Sequence, residues 1–179
     1  MAIMRKLQNS ELNRLDVEAF KKENKLPIVI VLDNVRSLHN VGAIFRTSDA
    51  FLIQKIYLCG ITGTPPNKEI RKTALGATET VCWEYASNTL ELVKKLQGQG
   101  IYVASLEQAV GSVMLQDFEP IPARTMAFVF GHEVHGVSQE VVDASDKVIE
   151  IPQFGSKHSL NVSVSAGMVI WELFKKLKT

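Results

Sequence analysis

The sequence predicts an α/β fold, an open and mostly parallel sheet with flanking helices, on three observations. Ile28 to Leu32 reads IVIVL, an uninterrupted β-branched run of the kind found in strands covered on both faces. Further short apolar runs, at Lys55 to Cys59, Thr80 to Tyr85, Ile101 to Ala104 and Thr125 to Phe130, are separated by segments of helical period. The 179 residues are 46% hydrophobic, enough for one well-buried core and short for two domains.

A net charge of +1 excludes a strongly basic coat, so any nucleic-acid contact must come from local clusters or from the combined surface of an oligomer. The two cysteines, Cys59 and Cys82, both adjoin apolar segments and read as free, buried thiols in a reducing compartment. The N-terminal MAIMRKLQNSE has no apolar signal region, and no apolar run approaches the roughly 20 residues of a membrane span, so a cytoplasmic protein without membrane contact is expected.

Residues 1–26 read as a short helical extension rich in charge, with Ser10 and Asp16 as N-caps of two short helices and Leu12, Leu15, Val17 and Phe20 as a narrow apolar stripe. Arg5, Lys6 and Arg14 are its candidate contacts to a polyanion, although a charge-rich helix is more often a solvated face. Pro27 introduces the first strand. The stretch after it, DNVRSLHNVGAIFRTSDAF, predicts a helix from Val41 to Phe51, capped by Asn40, with Val41, Ile44 and Phe45 facing the core and Arg46 off that face. Ligands of open α/β sheets gather beyond the carboxyl ends of strands, which is where Asn34, Arg36, His39, Asn40 and Arg46 fall. A surface ion pair with Asp49 is the alternative use for Arg46.

After the second strand, GITGTPPNKEIRKTALGATET is expected to be a functional loop of about twenty residues carrying Lys68, Arg71 and Lys72. Asn88 caps a helix over Thr89 to Gln97, which Gly98 and Gly100 close. Gln116 to Pro122 is irregular. The strand Thr125 to Phe130 then runs into GHEVHG, and Ser138 caps a short helix through Val142.

The C-terminal stretch holds the most information. Ile149 to Ile151 is a short strand stopped by Pro152, and Phe154 to His158 form a polar loop around Gly155. The helix that follows buries Val162, Ala166, Ile170, Leu173, Phe174 and Leu177, while Lys175, Lys176 and Lys178 suit its C-terminal dipole. Its opposite face is small and polar, with Ser159, Ser163 and Gly167 four apart. Either another element packs closely there, or a ligand sits at the helix N-terminus.

Some chemistries are excluded. His132-Glu133-Val134-His135 has one residue too few between its histidines for two ligands on one helical face, and its flanking Gly131 and Gly136 predict a loop, so no metal is expected. GxxxxGK[ST], GxGxxG after the first strand and GxSxG are all absent. Three polar or glycine-bearing loops remain at strand ends, over 40–46, 131–136 and 155–161. By themselves they support a small-molecule site and do not name the ligand.

Together these three segments resemble the SpoU (TrmH-type) family of S-adenosylmethionine-dependent tRNA/rRNA ribose 2'-O-methyltransferases, within the SPOUT superfamily. The likeness runs from Ile28 to Leu173 through HNVGAIFRTSDAF, FVFGHEVHGVS and IEIPQFGSKHSLNVSVSAGMVIWEL. Leu52, where the family commonly has glycine, and His135 depart from the pattern and bear on turn geometry. The resemblance implies a SPOUT fold over residues 27–179 with a deep C-terminal trefoil knot, and an obligate homodimer with the site near the subunit interface. It implies Arg46 as catalytic residue, helped by Asn40, Glu133, Ser159 and Asn161. S-adenosylmethionine is implied at Leu106, Gly131, Ile151 and Leu160. RNA would be held by Arg5, Lys6, Arg14, Lys68, Arg71, Lys72 and the C-terminal lysines of two subunits. The 26-residue extension is too short for a separate RNA-binding domain, which favours tRNA slightly over rRNA. A non-catalytic RNA-binding or ribosome-assembly factor on the same fold is the alternative, and a metal-dependent hydrolase using His132, Glu133 and His135 a third.

Overall fold

Alternate residues of the IVIVL run serve two different cores. In the computed structural model, which describes residues 4–178, Ile28, Ile30 and Leu32 enter one apolar cluster, and Val29 and Val31 enter another on the opposite face of the sheet. A strand with period-2 side chains and no polar residue can be buried in no other way.

The chain runs α1 (Val17–Lys22), β1 (Leu26–Asp33), α2 (Leu38–Ala50), β2 (Ile53–Cys59), α3 (Lys68–Ala74), α4 (Ala77–Thr80), β3 (Trp83–Ala86), α5 (Thr89–Gly98), β4 (Tyr102–Leu106), β5 (Val113–Met114), β6 (Met126–Phe130), α6 (Gln139–Ala144), β7 (Lys147–Glu150) and α7 (Val162–Lys178). The strands form one seven-stranded sheet in the order β3-β2-β1-β6-β4-β7-β5, parallel at every pairing. Helices α2, α3, α4 and α7 cover the first cluster, which holds the fully buried Phe45, Phe128 and Phe130; α5 and α6 cover the second. Burial of each such aromatic side chain contributes about 1.5–3 kcal/mol.

The strand order places the carboxyl ends of β1, β6, β4 and β7 side by side. Four segments distant in sequence therefore meet along one edge: the β1–α2 turn, residues 107–112, residues 131–138 and residues 151–161.

Several expectations are corrected. Asn40 is not the cap of α2: Ser37 is, its Oγ accepting the Asn40 amide at 3.3 Å, and the Asn40 side chain is left free for other partners. The expected long loop after β2 is largely helical. Asn67 caps α3 by accepting the amides of Glu69 and Ile70, and α4 ends on Thr80, the residue expected to begin β3. Cys82 is exposed, and only Cys59 is buried. In the extension, Asp16 caps α1 as expected, but Ser10 lies inside a 3₁₀ turn over Asn9–Glu11; of the expected apolar stripe Leu12 and Leu15 are exposed, Val17 is half-buried and Phe20 is buried. Asp49 accepts from Thr80 Oγ1 and makes no ion pair with Arg46 among the described residues. Among the described residues, a Cβ placed on Gly167 would meet no atom within 4 Å beyond its own helix backbone and chain neighbours.

Gly42, in contrast, is required where it stands. A Cβ on it would overlap the Thr73 hydroxyl and the Ile70 carbonyl, so glycine lets α3 lie directly on α2.

Candidate functional site

Glu133 lies in the loop after β6, and its carboxylate reaches across to the start of α2. It accepts the backbone amides of Arg36 at 3.0 Å and Ser37 at 2.9 Å, and the Asn40 side-chain amide at 3.0 Å. Partial burial alone would raise its pKa; the amides of Arg36, Ser37 and Glu133 itself, with that of Asn40, outweigh burial and hold the carboxyl below its ordinary value. Asn40 passes the connection on. Its Oδ1 accepts the Asn161 side-chain amide at 3.1 Å, and Asn161 Oδ1 accepts the Ser163 amide at 2.9 Å, capping α7. One chain of hydrogen bonds thus joins the loops after β1, β6 and β7.

The loop 131–136 folds back on itself through paired backbone hydrogen bonds between His132 and Gly136. A Cβ on Gly131 would overlap the backbone of Gly136 and Val137, so the close return needs glycine. His132 Nδ1 accepts the amides of Val134 and His135, which makes its ring part of the turn. Among the described residues there is no group of three or more His, Cys, Asp or Glu placed to hold a metal.

Beside this network lies a cavity of about 460 Å³, lined by Leu106 at the end of β4, Gly131 after β6, and Ile151, Ser159 and Leu160 before α7. The four residues expected to hold the cofactor are therefore brought together, and Ser159 and Glu133 also face the cavity. A second hollow of about 290 Å³, formed by Arg36, Ser37 and His132 to Val134, shares the 132–134 wall with it.

Arg46 is not brought to the cavity of its own chain. It is exposed on α2, six residues or about 9 Å of helix beyond Asn40. α7 packs against α2, with the Phe51 ring 5.9 Å from Trp171 and 5.1 Å from Phe174. The outer side of α7 presents Val164, Met168 and Trp171, which are 47%, 44% and 50% exposed.

Of the basic residues, Lys68, Arg71 and Lys72 stand exposed on α3, with Lys72 bonded to Glu69 at 2.8 Å. The Arg5 guanidinium forks onto Glu11 at 2.6 and 2.9 Å and pulls that carboxyl down to about 2, while Lys6 and Arg14 are exposed. Asn34 is turned away to accept the Ile61 amide. His39 bonds Glu69 at 3.0 Å.

Two contributors escaped the sequence reading. Glu107 lines the cavity and accepts the Val137 amide at 3.1 Å; it directly follows β4, at a strand carboxyl end of the kind where ligands gather. Asp33, buried at the end of β1, accepts from Thr89 Oγ1 and from the Ser138 amide at 3.3 Å, fixing where α5 and α6 begin. Nothing in its local sequence marks it.

The description "SpoU rRNA Methylase family" belongs to the family model that matches residues 27–171, and the chain is a member of that family. Over 166 residues it is 30% identical to the 23S rRNA (guanosine-2'-O-)-methyltransferase RlmB of Vibrio parahaemolyticus, covering 93% of this chain and 66% of that protein. The corresponding protein of Neisseria meningitidis is 32% identical over 146 residues, covering 82% of this chain and 57% of its own. The chain thus spans just under two thirds of the length of such curated relatives. Among solved structures, the A. aeolicus TrmH/SpoU tRNA modifying enzyme superposes with a TM-score of 0.78 at 28% identity, over 89% of this chain and 79% of its own. The AdoMet-bound rRNA methyltransferase from Sinorhizobium meliloti gives 0.78 at 27%, over 88% of this chain and 58% of its own.

Proposed function

We propose that the chain is an RNA ribose 2'-O-methyltransferase that takes its methyl group from S-adenosylmethionine and acts on tRNA or rRNA. The observation that carries this reading is the hydrogen-bond chain Glu133–Asn40–Asn161, which locks three loops around one cavity. Family membership and the relatives' activities support it.

The cavity suits the cofactor. Its volume lies within the range for small-molecule sites, about 300–1,000 Å³. Leu106, Ile151 and Leu160 offer apolar walls for an adenine ring, and the folded loop 131–136 offers backbone polar groups to ribose and amino-acid moieties. When bound, S-adenosylmethionine supplies an electrophilic methyl on a sulfonium. The protein's part is to hold the ribose 2'-oxygen in line with that methyl and to help its proton leave. Glu133, Asn40 and Asn161 keep the loops in register, and Ser159 faces the reacting groups from the cavity wall.

Arg46 grips an RNA phosphate next to the target ribose and stabilises charge developing on the 2'-oxygen. A guanidinium keeps its proton at neutral pH, so it acts as a fork of donors in preference to a base. Because Arg46 stands off its own cavity, a second copy of the chain brings it to the reaction, and the protein works as a homodimer. The exposed Val164, Met168 and Trp171, with the uncrowded Gly167 between them on α7, are the surface that supports close approach of that copy. Residues 27–179 form the methyltransferase unit and 1–26 an extension that adds Lys6 and Arg14 to the RNA surface of Lys68, Arg71 and Lys72. A C-terminal trefoil knot completes the proposal, supported by a strand order in which β7 lies between the earlier β4 and β5 while α7 returns to α2. The free thiols and RNA substrate suit the cytoplasm, and no described helix is long and apolar enough to cross a membrane.

The test in cells is to delete the gene, map ribose methylations in total tRNA and rRNA, and complement. A lost 2'-O-methyl mark is expected to return with wild type and not with Arg46→Ala; an unchanged methylation map contradicts the proposal.

A further inference from the structure

Phe154 is 97% exposed, an aromatic ring with no role in either core. It sits in the loop 153–159 whose two ends, Gln153 and His158 with Ser159, line the cavity. Gln108 Nε2 donates to the His158 carbonyl at 2.7 Å and ties the loop's far end to the segment after β4. Gly155, Ser156 and Lys157 are exposed, and a Cβ on Gly155 would meet nothing within 4 Å. Over residues 151–171 the sequence has no Asp or Glu, so Lys157 gives the loop a net positive charge.

An exposed ring beside a lysine, in a stretch from residue 151 to 171 without an acidic residue, is a combination that binds unpaired nucleotides: the base stacks on the ring and the cation tracks the phosphate. We infer that Phe154 stacks on an unpaired RNA base next to the target nucleotide, with Lys157 on the adjoining phosphate. This rests on the proposed function, and adds to it a contact that holds the RNA at the loop beside the cavity. Every base has a π-face, so the contact contributes affinity and orientation with little sequence preference.

The experiment uses the full chain with a 12-residue oligoadenylate as probe and heparin as a polyanion without bases. In Phe154→Trp the indole fluorescence, after subtraction of the wild-type signal from Trp83 and Trp171, is quenched by oligoadenylate and not by heparin. Phe154→Ala binds oligoadenylate about tenfold more weakly, from a stacking contribution near the low end of those measured by alanine substitution. Its affinity for S-adenosylmethionine by calorimetry and its mass by sedimentation stay at the wild-type values. Oligoadenylate binding by Phe154→Ala within twofold of wild type overturns the inference, as does equal quenching by heparin. A fall in mass for Phe154→Ala, which would make the ring a contact between copies, overturns it too. Failure of wild type to bind S-adenosylmethionine overturns the proposed function instead.

Discussion

The Glu133 carboxylate and the Asn40 side-chain amide, 93 residues apart in sequence, meet at 3.0 Å at the entrance to α2. Asn40 turns its other atom to Asn161, so the loops after β1, β6 and β7 cannot shift independently.

Glu133→Gln tests that coupling. The amide keeps the shape but replaces one accepting oxygen with a donor, facing the backbone N–H of Arg36 or of Ser37. Leaving such a donor unpaired costs about 1–3 kcal/mol. The urea midpoint is expected to fall accordingly, with S-adenosylmethionine affinity falling alongside. An unchanged midpoint would show that the loops are held by other contacts.

The same residue gives a pH signature. Hydrogen-bonded amides hold the Glu133 pKa below its ordinary value of 4.5, so the charged form is the one the fold prefers. Its contribution is complete above the unfolded value and is lost as pH falls through the folded one. Wild type and Glu133→Gln should therefore differ most in stability above pH 4.5 and converge on acidification below it. Urea titrations from pH 7 to pH 3 read this directly; a gap that widens in acid has the wrong sign.

Gly42→Ala forces a methyl into the Thr73 hydroxyl and the Ile70 carbonyl. Overpacking of this kind costs about 1–3 kcal/mol, or about 2–12 °C in melting temperature for a chain of this size. Because Ile70 carries backbone and cannot simply rotate away, the upper half of that range is expected by calorimetry. Gly167→Ala, with open space around it in the single chain, should leave the fold intact and instead weaken self-association if a second copy covers α7.

The two cysteines should react at very different rates. Burial pushes the Cys59 thiol up to about 12, with the nearby Asp33 charge adding to the rise and a Thr89 hydrogen bond opposing it, whereas Cys82 is exposed. Iodoacetamide at pH 8 followed by mass spectrometry is expected to modify Cys82 in the native protein and Cys59 only after unfolding.

Sheet and site were legible in the sequence to different depths. The strand Leu26–Asp33 announced itself because residues buried on both faces leave no polar interruption. The loop after β2 was misread because Gly, Thr and Pro at its start masked a short helix whose cap, Asn67, directly follows the second of two prolines. Asn40 was read as the cap of α2, but Ser37 takes that place, and only the fold shows that the Asn40 amide is spent on Glu133. Leu52 follows a helix end where glycine is usual, and it does adopt a left-handed conformation, φ +53°, so that departure concerned turn geometry as expected. Asp33 was invisible because its partner, Ser138, arrives from 105 residues away through the strand order.

The most direct measurement is methyl transfer by the purified protein. Wild type is incubated with S-adenosylmethionine labelled in its methyl group and with tRNA and rRNA from a strain lacking the gene, and the RNA is then hydrolysed with alkali. A methyl on the ribose 2'-oxygen blocks cleavage at the next phosphate, so the label should appear in alkali-resistant dinucleotides. Arg46→Ala should bind S-adenosylmethionine as wild type does and transfer at least a hundredfold more slowly, the loss expected for removal of a donor to developing charge. Label in bases or mononucleotides, or an Arg46→Ala protein that works at the wild-type rate, would contradict the account.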